Sequence, residues 1–249
     1  MQNSTIQGHY TPMSHEESQK EPETSALPDV ISNWKQEQFC WNGQEIQLTI
    51  PADPDELLEL LEETPEQSNC KTKAPFDPYW GHLWPAAREM ARLVPHFLQT
   101  PGTSVLELGC GSGLIGIAAL AAGMNVTFSD NQPEALKLAG YNAKQNGFKN
   151  YQLCLYDWLN PPRIEPFPIV IASDVLYEER FHEPLLNVLD QVTTSDGETW
   201  IADPGRSLLP NFLRTAQAHN FEFEIYDKTL TQKLFPAIGH FQLLKLKRG

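Results

Sequence analysis

Two acids and a cluster of glycines hold the clearest chemistry in this chain. The segment Val105 to Gly123, VLELGCGSGLIGIAALAAG, sets Glu107 in an apolar strand, follows it with Gly109, Gly111, Gly113 and Gly116, and resumes as an apolar helix. Glycine lets a chain turn sharply and lets a ligand approach the backbone unobstructed. The stretch GSGLIG fits G-x-G-x-x-G, but a tight strand-to-helix turn needs glycine with or without a ligand. The acids favour a ligand. Glu107 is costly in an apolar strand unless something meets it. Asp130 closes the next strand, NVTFSD, 23 residues later. At that spacing an acid accepts ribose hydroxyls in dinucleotide-binding turns.

NAD or another adenosine compound satisfies that pattern. A pyrophosphate needs its charge balanced, and no Lys or Arg lies within 105–123. Glu107 points instead to a ligand with a cationic group. S-adenosylmethionine has a ribose, an adenine, an ammonium and a sulfonium but no phosphate, and it suits two acids beside a bare glycine turn.

Two further stretches carry reactive types. DPYWGHLWPAA, Asp77 to Ala87, concentrates aromatics and prolines. Trp80 and Trp84 either cap the core or wall a pocket for a cation. SDVLYEE puts Ser173, Asp174 and Tyr177 at the carboxyl end of the fourth strand of the rhythm described next. Open α/β sheets bind ligands there; an acid at a strand end also serves as a helix cap.

The positioning elements follow a rhythm. Strands are expected at SVLELG, NVTFSD, YQLCLYDW, IVIASD, ETWIAD, FEFEIYDKTL and HFQLLKLK, with helices at Leu114–Ala122, Pro133–Asn146, Glu178–Val192 and Leu208–His219. Such alternation indicates a parallel sheet covered on both faces. Only TQKLFPAIG separates the last two strands, too little for a crossover, so they pair antiparallel at the edge. Upstream, WKQEQFCWNGQEIQLTIP reads as a hairpin about Asn42-Gly43. DPDELLELLEE reads as a short helix with Asp53 or Asp55 as its cap.

The 249 residues carry a formal net charge of −14. Such a surface repels phosphate backbones, which argues against a nucleic-acid partner, and attracts a basic one. No run reaches the roughly 18 apolar residues of a membrane span. The N-terminus lacks the features of a signal peptide. Cys40, Cys70, Cys110 and Cys154 have no C-x-x-C spacing, consistent with thiols in a reducing, cytoplasmic setting and with no metal site. Residues 1–28 read as a disordered tail, 29–74 as a hairpin-and-helix extension and 75–249 as the main domain.

VLELGCGSG resembles the first motif of the class I, seven-strand S-adenosylmethionine-dependent methyltransferases. The resemblance spans roughly 75–249. It implies an α/β, Rossmann-like doubly wound seven-stranded sheet with one antiparallel edge strand, preceded here by the N-terminal extension. It implies that Gly109, Gly111 and Gly113 line the methionine end of S-adenosylmethionine and that Asp130, with Asn131 beside it, holds the ribose. Asp157 and Trp158 of LYDWL would meet the adenine, and Trp84, Glu107 and Ser173 would complete the cofactor site. Trp158 also reads as core packing.

The upstream tryptophans and D-x-x-Y, Asp174 to Tyr177, resemble the lysine methyltransferase branch. DPYW…WP and ADPGR look closest to the electron transfer flavoprotein β-subunit lysine methyltransferases and their bacterial relatives. The implied partner is a lysine-presenting protein; a small nicotinamide-like amine is the alternative acceptor. As catalytic residues, Asp174 would orient the amine and stabilise the charge forming on it, and Tyr177 would shape or hydrogen-bond its channel. Arg206 of ADPGR would hold an acidic part of the substrate or form a structural salt bridge.

Overall fold

The computed structural model describes residues 26–41, 44–63 and 77–249. Most of the expected tail, the Asn42-Gly43 turn, Cys70 and the segment 64–76 lie outside these residues. The remainder is built on one sheet. Its strands are β3 (Ser104–Leu108), β4 (Asn125–Asp130), β5 (Tyr151–Leu155), β6 (Phe167–Ser173), β7 (Thr193–Asp203), β8 (Phe221–Tyr226), β9 (Gln232–Lys233) and β10 (Gln242–Arg248). Their order is β5-β4-β3-β6-β7-β10-β8-β9. The first five in that order pair in parallel. β10 runs antiparallel to both β7 and β8.

All seven expected strands are present, and two details differ. The two-residue β9 adds an eighth strand beside β8; it is too short to create an alternating pattern. The antiparallel strand β10 also lies inside the sheet, not at its edge. The short connection before β10 fixes its direction. It does not reveal that β8 sits one place outward, leaving a gap that β10 fills.

Side-chain alternation sends the two faces of β3 to different layers. Val105 packs with α2 (Pro85–Phe97), α3 (Leu114–Ala121) and α4 (Pro133–Gln145), whereas Leu106 and Leu108 pack with α5 (His182–Val192) and α6 (Leu209–Ala218). Glu107 shares the first face and meets α3. Helix α2 is absent from the sequence expectations. Pro85 at its start was a usable signal, but Pro95 in its last turn masks the apolar period of Ala86, Ala87, Met90, Ala91 and Val94. Strand order reverses about β3, whose neighbours are β4 and β6, so a crevice opens beyond their carboxyl ends.

The N-terminal hairpin pairs β1 (Trp34–Trp41) with β2 (Gln44–Pro51) from Trp34↔Pro51 to Trp41↔Gln44. Its Trp41, Ile46, Leu48 and Ile50 enter the same core as α2, α3 and α4. Glu37 accepts two hydrogen bonds from the Arg88 guanidinium on α2, at 2.5 and 2.9 Å. Behind the hairpin, α1 (Glu56–Glu63) sends Leu57 against Trp80. Asp53 accepts the Asp55 N–H just before α1, at 3.1 Å.

Gly116 is required by packing. A β-carbon there would collide with Phe128 and with the Glu107 carboxyl. Alanine favours helix over glycine by about 1 kcal/mol, but overpacking costs about 1–3 kcal/mol. Gly116→Ala is expected to lower the urea-unfolding free energy; an unchanged or raised value would show that the site has room.

Candidate active site

The glycine turn leaves β3 at Leu108 and enters α3 at Leu114. Gly111 has φ +50°, and a β-carbon there would sit 3.0 Å from the Trp80 carbonyl oxygen. Gly113 has φ +79°, and its β-carbon would press on Ala139 of α4 at 2.9 Å. The two glycines therefore have different duties. Gly111 borders a cavity of about 350 Å³, while Gly113 lies outside its lining and seats the turn against α4.

The cavity lies over the carboxyl ends of β3, β4 and β6. It brings together Trp84, Glu107, Gly109, Gly111, Asp130, Asn131, Asp157, Trp158, Ser173 and Tyr177. Gly113 and Asp174, both expected in the site, do not line it.

Glu107 is 2% exposed, and its Oε2 accepts the Gly116 N–H at 3.0 Å. Burial drives its pKa to about 8, against the pull of the Gly116 N–H and with a further push from nearby Asp130. Asp130 closes β4, 7% exposed. Its Oδ2 accepts the Gly111 N–H and its Oδ1 the Gln132 N–H, each at 3.0 Å. Burial raises it to about 6 against those two hydrogen bonds, and Asp77 adds a smaller push. Each oxygen keeps capacity to accept another donor. The Cys110 thiol also borders the cavity, but burial holds its pKa far up, so it remains protonated.

Asp174 has another duty. Its φ is +60°, a conformation Asp tolerates better than most residues. Its Oδ2 accepts the Ala87 N–H in the first turn of α2 at 3.2 Å, and its Oδ1 accepts from Arg206 at 3.0 Å. Arg206 also donates to Asp203 at 3.1 Å. Burial raises Asp174 to about 6 against the attraction of Arg206. The acid thus caps α2 from another part of the chain, and Arg206 is held in a salt bridge. Asp174 thus stands at the expected strand end, engaged by Ala87 and Arg206 behind the cavity lining; the sequence does not reveal the turn of its backbone.

Aromatic rings form the mouth. Tyr177 stands edge-on to Tyr79, with centroids 5.9 Å apart, and Tyr79 stands edge-on to Trp84 at 6.0 Å. Phe181 lies 6.2 Å from Tyr177 and 6.4 Å from Trp158. Tyr177 donates its hydroxyl to Asp77 Oδ2 at 2.9 Å, and Asp77 Oδ1 accepts the Tyr79 N–H at 2.9 Å. Burial, then the Asp77 charge, drives the Tyr177 phenol upward, so it stays neutral.

Sequence reasoning missed Asp77, Tyr79 and Phe181 as cavity residues. The crowded aromatic segment flagged Tyr79, but nothing local pairs Asp77 with Tyr177. Tyr156 and Trp80 also line the cavity, and the Tyr156 hydroxyl and Trp80 Nε1 are buried with no hydrogen-bond partner among the described residues.

The family described as "Methyltransferase domain" matches residues 99–239, more than half of the chain, and the chain belongs to it. The electron transfer flavoprotein beta subunit lysine methyltransferase of Rattus norvegicus is 31% identical over 156 residues, covering 60% of this chain and 57% of that protein. The chain spans little more than half the length of the curated relatives it matches. The ribosomal protein L11 methylase of Lactobacillus delbrueckii subsp. bulgaricus has the same fold, with TM-score 0.53 and 22% identity over 65% of this chain and 78% of its own. So does the magnesium protoporphyrin IX methyltransferase of Synechocystis PCC 6803, solved with bound S-adenosylmethionine, with TM-score 0.51 and 15% identity over 66% and 78%.

Glu107 ionises at its ordinary value of 4.5 when unfolded and at about 8 when folded. Between these values the folded state keeps a proton that the unfolded state has released, so stability falls as pH rises. Glu107→Gln cannot titrate. The unfolding free energy of the ligand-free native protein should therefore fall relative to this variant between about pH 5 and 8 and then level off. Parallel urea-denaturation profiles across that range would contradict the assignment.

Proposed function

We propose that this chain transfers a methyl group from S-adenosylmethionine to an amine nitrogen, with a protein lysine side chain as acceptor. The observation that carries this reading is the pair of acids in the inner cavity wall. Glu107 and Asp130 are buried there side by side. Arg180 at the mouth is already engaged by Glu178 at 2.5 Å and stacks over Phe181 at 4.7 Å. A pyrophosphate would face two carboxyls with no free cation among the described lining residues. A phosphate-free nucleoside bearing an ammonium and a sulfonium would be attracted.

The residues fit that cofactor. Asp130 has acceptor capacity for ribose hydroxyls, and Glu107 for an ammonium. Asn131 and Ser173 border the same space, with Asp157 and Trp158 at its β5 side. When bound, S-adenosylmethionine supplies an already activated methyl group.

The protein's contribution is then alignment and exclusion of water. The rings of Tyr79, Trp84, Tyr177 and Phe181 form a collar through which an unbranched amine reaches the cavity. Their faces favour a cation near the entrance. Desolvation among them lowers the pKa of the amine, which gives up its proton to solvent and so exposes the lone pair that takes the methyl group. Tyr177, kept neutral and tied to Asp77, shapes the collar. Asp174 acts from outside by fixing the start of α2 and hence Trp84. The rat relative's name supports lysine as the acceptor. Free Cys40, Cys110 and Cys154 support a reducing, cytoplasmic setting for the reaction.

Asp130→Ala removes a charged acceptor worth about 1.5–3 kcal/mol, so S-adenosylhomocysteine affinity should fall roughly ten- to a hundredfold by calorimetry. Radiolabelled methyl groups offered with source-cell lysate should appear on protein lysine. Label confined to small molecules would replace the acceptor, and unaltered affinity in Asp130→Ala would sink the cofactor assignment.

A further inference from the structure

The outer edge of β2 is closed by side chains instead of a third strand. Asn142 on α4 accepts the Thr49 N–H through Oδ1 at 2.8 Å and donates from Nδ2 to the Thr49 carbonyl at 2.9 Å. Asn146, one turn later, does the same for Gln47 at 2.9 and 2.7 Å. The spacings match. Residues two apart on a strand lie about 6.6 Å apart, and residues four apart on a helix rise about 6 Å. Two carboxamides one helical turn apart therefore imitate a neighbouring strand.

Asn146 Nδ2 also donates to the Asn142 carbonyl at 2.8 Å, within the end of α4, whereas Asn142 reaches beyond the helix and hairpin. Asn142 Nδ2 also donates to the Ser112 carbonyl at 3.0 Å, within the glycine turn, and Ser112 lines the cavity. Asn142 is 0% exposed, so no solvent stands ready to replace these bonds. With its oxygen and both amide hydrogens engaged, the carboxamide has a single satisfied orientation. The hairpin backbone, Asn142 and the turn thus form one continuous hydrogen-bonded unit. The turn's three glycines add no side-chain anchors, so backbone bonds such as this one and that of Gly111 to Asp130 hold it.

We propose that Asn142 is a positioning residue for the glycine turn, and that through it the N-terminal hairpin sets the geometry with which the turn meets the cofactor. This rests on the cofactor reading given above for its functional consequence, but not for the coupling itself. Asn142→Ala and Asn146→Ala in the full chain separate the two tasks. Each loses the bonds to one hairpin residue; only Asn142→Ala loses Ser112.

For Asn142→Ala, the cofactor KM and the dissociation constant for S-adenosylhomocysteine should rise about tenfold, with the acceptor KM within about twofold. Asn146→Ala should leave all three within about twofold. In hydrogen exchange without ligand, amides 110–116 should exchange about tenfold faster in Asn142→Ala and stay unchanged in Asn146→Ala. If Asn142→Ala fails to fold, Asn142→Ser carries the same comparison. Equal responses from the two sites, or an unaltered turn in the folded Asn142 variant, would overturn the proposal. If the native protein bound no S-adenosylhomocysteine while the exchange contrast held, the cofactor reading would fall and the coupling would stand.

Discussion

A carboxyl removed from water survives only as a neutral acid or in the company of donors, and Glu107 and Asp130 test both options within one cavity. Glu107 has backbone N–H groups of Gly116 and Ile115 for company, yet burial still drives it toward the neutral form. Asp130 has the amides of Gly111 and Gln132, and its shift is smaller. The rest of the site follows from keeping these two acids buried beside a space that a ligand can enter. Parallel β3 and β4 set them at neighbouring strand ends. The glycine turn delivers one donor to each acid, from Gly111 and from Gly116 at the start of the helix. Replacing either acid by an apolar residue would ease folding but remove the polarity that selects a cationic nucleoside.

The walls around the acids are held from outside. Asp174 fastens the first turn of α2, and through it the segment bearing Trp84. Arg206 and Asp203 complete that buried ion cluster. The Tyr177–Asp77 hydrogen bond joins the loop after β6 to the segment before α2. The hairpin grips α2 through Glu37–Arg88 and α4 through the Asn142 and Asn146 carboxamides. Three distant parts of the chain therefore converge on one cavity. The methyl transfer proposed for it would need alignment more than acid–base power.

Much of the fold was legible because its signals are local. Strands of alternating or continuous apolar character, a glycine turn and proline-led helices follow one another along the chain. The acids were legible for a physical reason: Glu107 and Asp130 stand where apolar residues belong. What escaped was non-local or orientational. β10 inserts between β7 and β8, an arrangement that no single segment encodes. Asp77 and Tyr177 meet across 100 positions. Asp174 stands at the strand end its segment indicates, but its partners, the first turn of α2 and Arg206, come from distant parts of the chain. Gly113 belongs to the recognised motif but serves packing. The Asn142 bridge was hidden because an asparagine in a helix shows nothing in sequence of the strand edge it closes.

The central claim is that a cationic, phosphate-free nucleoside binds against Glu107 and Asp130, and proton linkage tests it most directly. Near pH 7 the free protein holds Glu107 protonated, because it ionises at about 8; a bound ammonium or sulfonium favours the carboxylate and drives the proton out. Calorimetric titration with S-adenosylmethionine in buffers of different ionisation enthalpy should yield heats that vary with the buffer, in proportion to a released proton. In Glu107→Gln that variation should vanish. Absence of binding, or identical heats in every buffer for the native protein, would contradict the claim.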